Sequence, residues 1–151
     1  MTVLWSGFGL GILALLLTSP AVAQEPEAAG RVKVASGTVV ILRAGREMPA
    51  RPGLVVLEHD GLRTGDDGRL GITLKDDTRI SLGPSTEVRL SQYMYAPSEN
   101  RLGLVLRIMR GVAAYVSGRI AKLAPDAIRL EAPGAIVGVR GTSLVIHVGA
   151  P

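Results

Sequence analysis

From Leu57 to Leu90 the apolar residues fall two apart, in runs too short for anything but brief strands. They are Leu62 with Thr64, then Leu70, Ile72 and Leu74, then Ile80 and Leu82, then Val88 and Leu90. The separators are Gly65-Asp66-Asp67-Gly68, Lys75-Asp76-Asp77-Thr78 and Gly83-Pro84-Ser85-Thr86. A period of two broken by Gly, Asp and Pro predicts short strands joined by tight turns, each laying one apolar face on a common core. Asp accepts local backbone hydrogen bonds and Gly supplies positive φ, so these separators are turn chemistry before they are anything else.

The same period runs through the rest of the chain. Val32, Val34, Val39 and Ile41 alternate around Ser36-Gly37, and Leu102, Leu104, Leu106 and Ile108 alternate after the polar loop at 96–100. Met48 to Pro52 is proline-rich and fits an edge or a connection. Met109-Arg110-Gly111 predicts a bend or hairpin before Val112, Ala114 and Val116. Gly118 to Pro125 has room for one short helical turn. Ile128, Leu130, Ile136 to Val139, and Leu144, Ile146 and Val148 supply the last strands. The expectation is an all-β domain over residues 31–148: a twisted β-roll or solenoid-like stack of short antiparallel strands with no substantial helix.

Residues 1–23 differ from all of this. They carry no charged side chain, Phe8 to Leu17 is an apolar-plus-glycine run, and Ala21-Val22-Ala23 is a small-x-small site before Gln24. That is the build of a signal peptide cleaved after Ala23, although the n-region lacks Lys or Arg; an N-terminal membrane anchor is the alternative. Residues 24–30 read as a disordered acidic linker. The destination is then periplasmic or secreted. The chain has no cysteine, which excludes disulfides, thiolate metal sites and a catalytic thiol. Trp5 and Phe8 lie in the leader, so Val, Leu, Ile and Ala must build the core.

Catalytic and metal constellations are weak. Asp66-Asp67 and Asp76-Asp77 are adjacent pairs, and neighbours on a strand face opposite ways, unlike the alternating acidic residues of a calcium loop. Ser143 precedes His147 by four residues without a nucleophile-elbow motif. The net charge of +4 rests on arginine, and Arg101, Arg107, Arg110, Arg119, Lys122 and Arg129 cluster in the second half. No aromatic interleaving accompanies them, so nucleic acid is not the expected partner. No cofactor or metal is expected.

Taken together, the motifs resemble the FecR domain, the periplasmic sensor module of iron-citrate signalling proteins. They are Gly37-Thr38-Val39, Asp60-Gly61-Leu62-Arg63-Thr64-Gly65, Leu74-Lys75-Asp76-Asp77-Thr78-Arg79-Ile80, Leu82-Gly83-Pro84-Ser85-Thr86 and Arg110-Gly111-Val112-Ala113. Last comes Ala132-Pro133-Gly134-Ala135-Ile136-Val137-Gly138-Val139-Arg140-Gly141-Thr142. The chain departs from the family at His59-Asp60, where Gly-Asp is usual, at Asp76-Asp77-Thr78, and at Leu144 in place of an aromatic. The resemblance implies a stand-alone exported domain, without the cytoplasmic segment that lets signalling members hold a sigma factor. Asp60, Gly61, Thr64, Gly65, Asp76, Thr78, Gly111, Pro133, Gly141 and Thr142 are read as its structural devices.

The functional expectation is a non-enzymatic envelope module, of binding or sensor type, acting through protein–protein contact. An open strand edge near the end of the chain would serve such contact by strand addition. The alternative is recognition of an anionic envelope glycan or lipid through Arg107, Arg110, Arg129 and Arg140. The structural reading of Arg140 is that it stacks over the end of the roll or pairs with a turn carboxylate such as Asp66 or Asp77.

Overall fold

The computed structural model describes residues 19–141 and 143–149, so the leader expected at 1–23 lies largely outside them. Residues 19–27 are without regular secondary structure, and β1 (Ala28–Ser36) begins inside the stretch expected to be linker. Then follow β2 (Val39–Arg43), β3 (Arg46–Pro49), β4 (Val55–Leu57), β5 (Gly61–Thr64), β6 (Arg69–Leu74), β7 (Arg79–Leu82) and β8 (Glu87–Ala96). After a 3-10 turn come β9 (Arg101–Val116), α1 (Arg119–Leu123), β10 (Ile128–Ala132), β11 (Ala135–Gly138) and β12 (Ser143–Val148). The domain is all-β, as the period of two predicts.

All twelve strands belong to one curled sheet. β9 is common to its two arms: its first half pairs with β8 and β10, its second half with β7 and β12. One arm therefore runs β3-β2-β5-β8-β9-β10-β11, and the other β4-β1-β6-β7-β9-β12. Curling brings the alternate apolar residues of both arms into a single core that includes Ile41, Leu62, Ile72, Ile80, Leu104 and Leu130. The aliphatic core anticipated from the composition is joined by two buried tyrosines, Tyr93 and Tyr115.

Three expectations are corrected by the strand register. Met109-Arg110-Gly111 is no hairpin, because β9 passes straight through it and changes neighbours there. A bulge that pairs Glu87 with Arg110 but Val88 with Ile108 absorbs one extra residue. Val34 does not face the core with Val32. A second bulge between them slips the register against β6, and Val34 ends 57% exposed. The strands are not all antiparallel either: β10 lies parallel to β9, and residues 117–127, including α1, form the crossover that parallel pairing requires.

The turn of β9 from one arm to the other is fastened at Gly111, whose φ is +89°. A Cβ here would overlap the Thr86 hydroxyl and backbone. That hydroxyl accepts the Val112 N–H at 2.9 Å, while the Thr86 N–H donates to Thr64 Oγ1 at 2.9 Å. Thr64 in turn donates to the Gly83 carbonyl at 2.7 Å. Two buried threonines thus satisfy the backbone that the bulge frees. Gly111→Val combines an unfavourable φ with a backbone clash and is expected to cost about 3 kcal/mol. Urea unfolding would show this as a lower midpoint at unchanged slope; an unchanged midpoint would mean that the crossing does not depend on this glycine.

Candidate functional site

Two buried carboxylates anchor turns between strands, Asp60 before β5 and Asp76 between β6 and β7. Asp60 is 1% exposed and follows His59, whose φ of +72° turns the chain into β5. Its oxygens accept Arg43 Nε at 2.9 Å and Nη2 at 2.7 Å, and the Leu57 N–H at 2.8 Å. The doubly bonded pair raises the Arg43 guanidinium still higher, chiefly through the hydrogen bond to Asp60. Gly61 lets the Leu42 side chain close in on the same corner, and the Gly65 N–H donates to the Thr38 carbonyl at 2.8 Å.

Asp76 is fully buried and meets no cation directly among the described residues. Its carboxylate accepts the Tyr93 hydroxyl at 2.9 Å, the Thr78 hydroxyl at 2.7 Å and N–H at 3.3 Å, and the Ile120 N–H at 3.2 Å. Its carbonyl takes the Arg119 N–H at 2.7 Å. One side chain therefore joins the β6–β7 turn to β8 and to α1. Gly118 makes this contact possible, since a Cβ there would overlap the Asp76 carbonyl and the Thr78 N–H. Burial first, and then the Asp76 charge, push the Tyr93 phenol far above its ordinary range. Asp77, the next residue, points outward and pairs with Arg119 at 3.2 Å. Asp67 accepts the Thr38 N–H at 3.1 Å, which holds its carboxyl below the usual range.

Neither buried carboxylate, Asp60 or Asp76, opens onto a surface. The grooves beside the arginines expected at a contact surface lie on the outer face of β9, β10 and β11. Leu104, Leu106, Ile108, Ile128 and Leu130 point inward and are buried, so Arg107, Arg129, Glu131 and Ile136 point outward. The register sets Arg107 beside Glu131 and Glu131 beside Ile136 in one row, with Arg129 beside Gly138 in the next. Arg107 and Glu131 are joined at 3.0 Å. A groove of about 670 Å³ runs past Arg107, Met109, Glu131, Pro133 and Ile136. A second, of about 370 Å³, is lined by Asp126, Arg129, Ile136, Gly138 and Arg140.

Of the four arginines expected at a contact surface, the structure brings Arg129 and Arg140 into one groove and places Arg107 nearby. Arg110 lies apart at the bulge, 3.5 Å from Glu87. Arg140 does not pair with Asp77, which Arg119 occupies. Among the described residues neither Arg129 nor Arg140 makes an ion pair. Pro133 and Gly134 form the exposed β10–β11 turn, with φ +75° at Gly134, and Gly141 has φ +134°. Thr142 lies outside the described residues. Ser143 and His147 sit on the exposed side of β12, four residues and so about 13 Å apart along the strand.

β11 was not singled out by its residues. Among the described residues it is an outermost strand, Ala135-Ile136-Val137-Gly138, bonded only to β10. Ile136 is 67% exposed, and the strand contains no charge. Two of the other outer strands are blunted: β3 holds Arg46, Glu47 and Pro49, and β4 spans only Val55–Leu57. Among the described residues β12 is bonded only to β9.

Comparison with known proteins finds a family model described as FecR protein, which matches residues 60–150. No curated protein and no solved structure matches.

The Asp76 cluster yields an alkaline dependence whose sign is set by Tyr93. A phenol held protonated in the fold but free to ionise when unfolded leaves stability intact below the ordinary tyrosine value of about 10 and erodes it above. Wild-type stability is expected to fall as pH rises past that value, and Tyr93→Phe to flatten the fall while costing about 1 kcal/mol at neutral pH. Asp76→Asn, which turns a donor toward donors, is expected to cost about 3 kcal/mol at pH 7. Denaturant titrations at pH 7 and at pH 11 measure all three.

Proposed function

This chain belongs to the FecR family, and from that premise we propose that it is a non-enzymatic module of the bacterial cell envelope, exported by the leader at 1–23. It acts through protein–protein contact, and its contact element is the open edge of β11. One observation carries this reading: an uncharged, exposed strand with a groove along it ends one arm of the sheet, while the outer strands β3 and β4 are blunted.

The edge has the bonding capacity for strand addition. Ala132 and Ala135 flank the two-residue turn and pair with each other, as do Leu130 and Val137. In such a hairpin those are the hydrogen-bonded pairs, which leaves Ile136 and Gly138 with N–H and C=O directed away from β10. An extended segment of a partner can take up these groups as a further strand. The groove beside Ile136 supplies apolar surface to bury at the same time.

A second reading, recognition of an anionic glycan or lipid, draws on the Arg129–Arg140 groove. The two readings part in experiment. A photo-crosslinking residue at Ala135 of the full chain, irradiated in intact cells, is expected to capture a discrete envelope protein. Ile136→Pro, which removes an outward N–H without breaking a bond to β10, is expected to abolish the adduct. Absence of any protein adduct, with binding to phosphatidylglycerol vesicles that Arg129→Ala weakens and salt suppresses, would favour the second reading instead.

A further inference from the structure

The register at the β11 edge specifies the chemistry of the segment that would dock there, given the docking role proposed above. A strand added to β11 places two of its residues opposite Ile136 and Gly138, with their side chains on the outer face. Opposite Ile136 the neighbours are an exposed aliphatic side chain and the wall of the larger groove. Opposite Gly138 there is no side chain, and a Cβ built on this glycine meets nothing within 4 Å. The next side chain across that gap is Arg129, the register partner of Gly138, and Arg140 lines the same hollow.

Strands lie about 4.8 Å apart, so Arg129 and the incoming residue are separated by roughly 10 Å of sheet. A guanidinium on its long stem and a glutamate can span that distance toward each other. An aliphatic or a basic residue at this place gains nothing. Glu131, the nearest acid on β10, is engaged by Arg107 one row away. Asp126 lines the hollow without an ion pair to either arginine. A second copy of this chain is a poor occupant: its net charge is +4, and its own β11 has no acid to offer.

We propose that the β11 edge takes an extended acidic segment of another protein carrying an apolar residue and a glutamate two positions apart. The apolar side chain packs on Ile136, and the glutamate crosses Gly138 to Arg129 and Arg140. The spacing is the same for either direction of the incoming strand, because it comes from the two outward-facing residues of β11.

The test uses acetylated, amidated threonine-rich heptapeptides with a central isoleucine-threonine-glutamate, the same peptide with lysine for glutamate, and one N-methylated at its outward amides. Each is titrated into the full-length chain at low salt and followed by amide chemical shifts. The glutamate peptide is expected to bind roughly three- to tenfold more tightly than the lysine peptide, with shifts concentrated at Ile136 to Gly138. The preference is expected to reverse in the Arg129→Glu, Arg140→Glu double variant, whose substitutions lie at exposed positions. N-methylation is expected to abolish binding.

Equal affinity for the two peptides, or shifts centred on β3, β4 or β12, overturns the proposal; so does the absence of binding by any peptide. A protein captured through Ala135 alongside equal peptide affinities would leave the docking edge standing and remove only the acidic motif. Failure of capture and of binding together would remove both.

Discussion

Everything in this domain hangs on one long strand being bonded along both edges while it moves from one arm of the sheet to the other. A flat strand cannot do that, because two arms that share it must diverge to enclose a core. Gly111 supplies the divergence, and Thr86 and Thr64 satisfy the backbone groups that the bulge displaces. The cost of burying two hydroxyls is offset because each one takes a bond the ladder has lost. Once β9 is set in this way, the places of β7 and β8 on one side and of β10 and β12 on the other follow from its register.

The period of two was enough to read the class of fold and most of the core. Leu62, Leu70, Ile72, Leu74, Ile80, Leu82, Val88 and Leu90 all point inward, as their spacing requires. Alternation cannot see a bulge, however: it puts Val34 on the core face and marks Met109-Arg110-Gly111 as a bend or hairpin where β9 runs on through a bulge. Both errors have one cause: an extra residue on one strand flips every later side chain without leaving a mark on composition.

Asp76 shows a different limit. In the sequence it stands in an Asp-Asp-Thr turn, where solvent is the default environment. Its burial depends on Tyr93, 17 residues away, and on the Ile120 N–H, 44 residues away. Only a folded chain brings those donors to it. The β11 edge was hidden for a similar reason. Its residues look like any half-buried strand, and it becomes an outer strand only because β10 enters parallel to β9 and carries its hairpin outward. The arginines, by contrast, were visible from the start; which two of them share a hollow was not.

The continuity of β9 also has a mechanical meaning. A strand bound along β11 would be connected through β10 and β9 to β7, β6 and β1, so the hydrogen-bonded path ends beside the N-terminal segment. Any force between that terminus and the β11 edge would have to pass through β9 itself, from its ladder at Leu104–Arg107 to its ladder at Ala113–Val116, so the sheet joins the two places through a single strand.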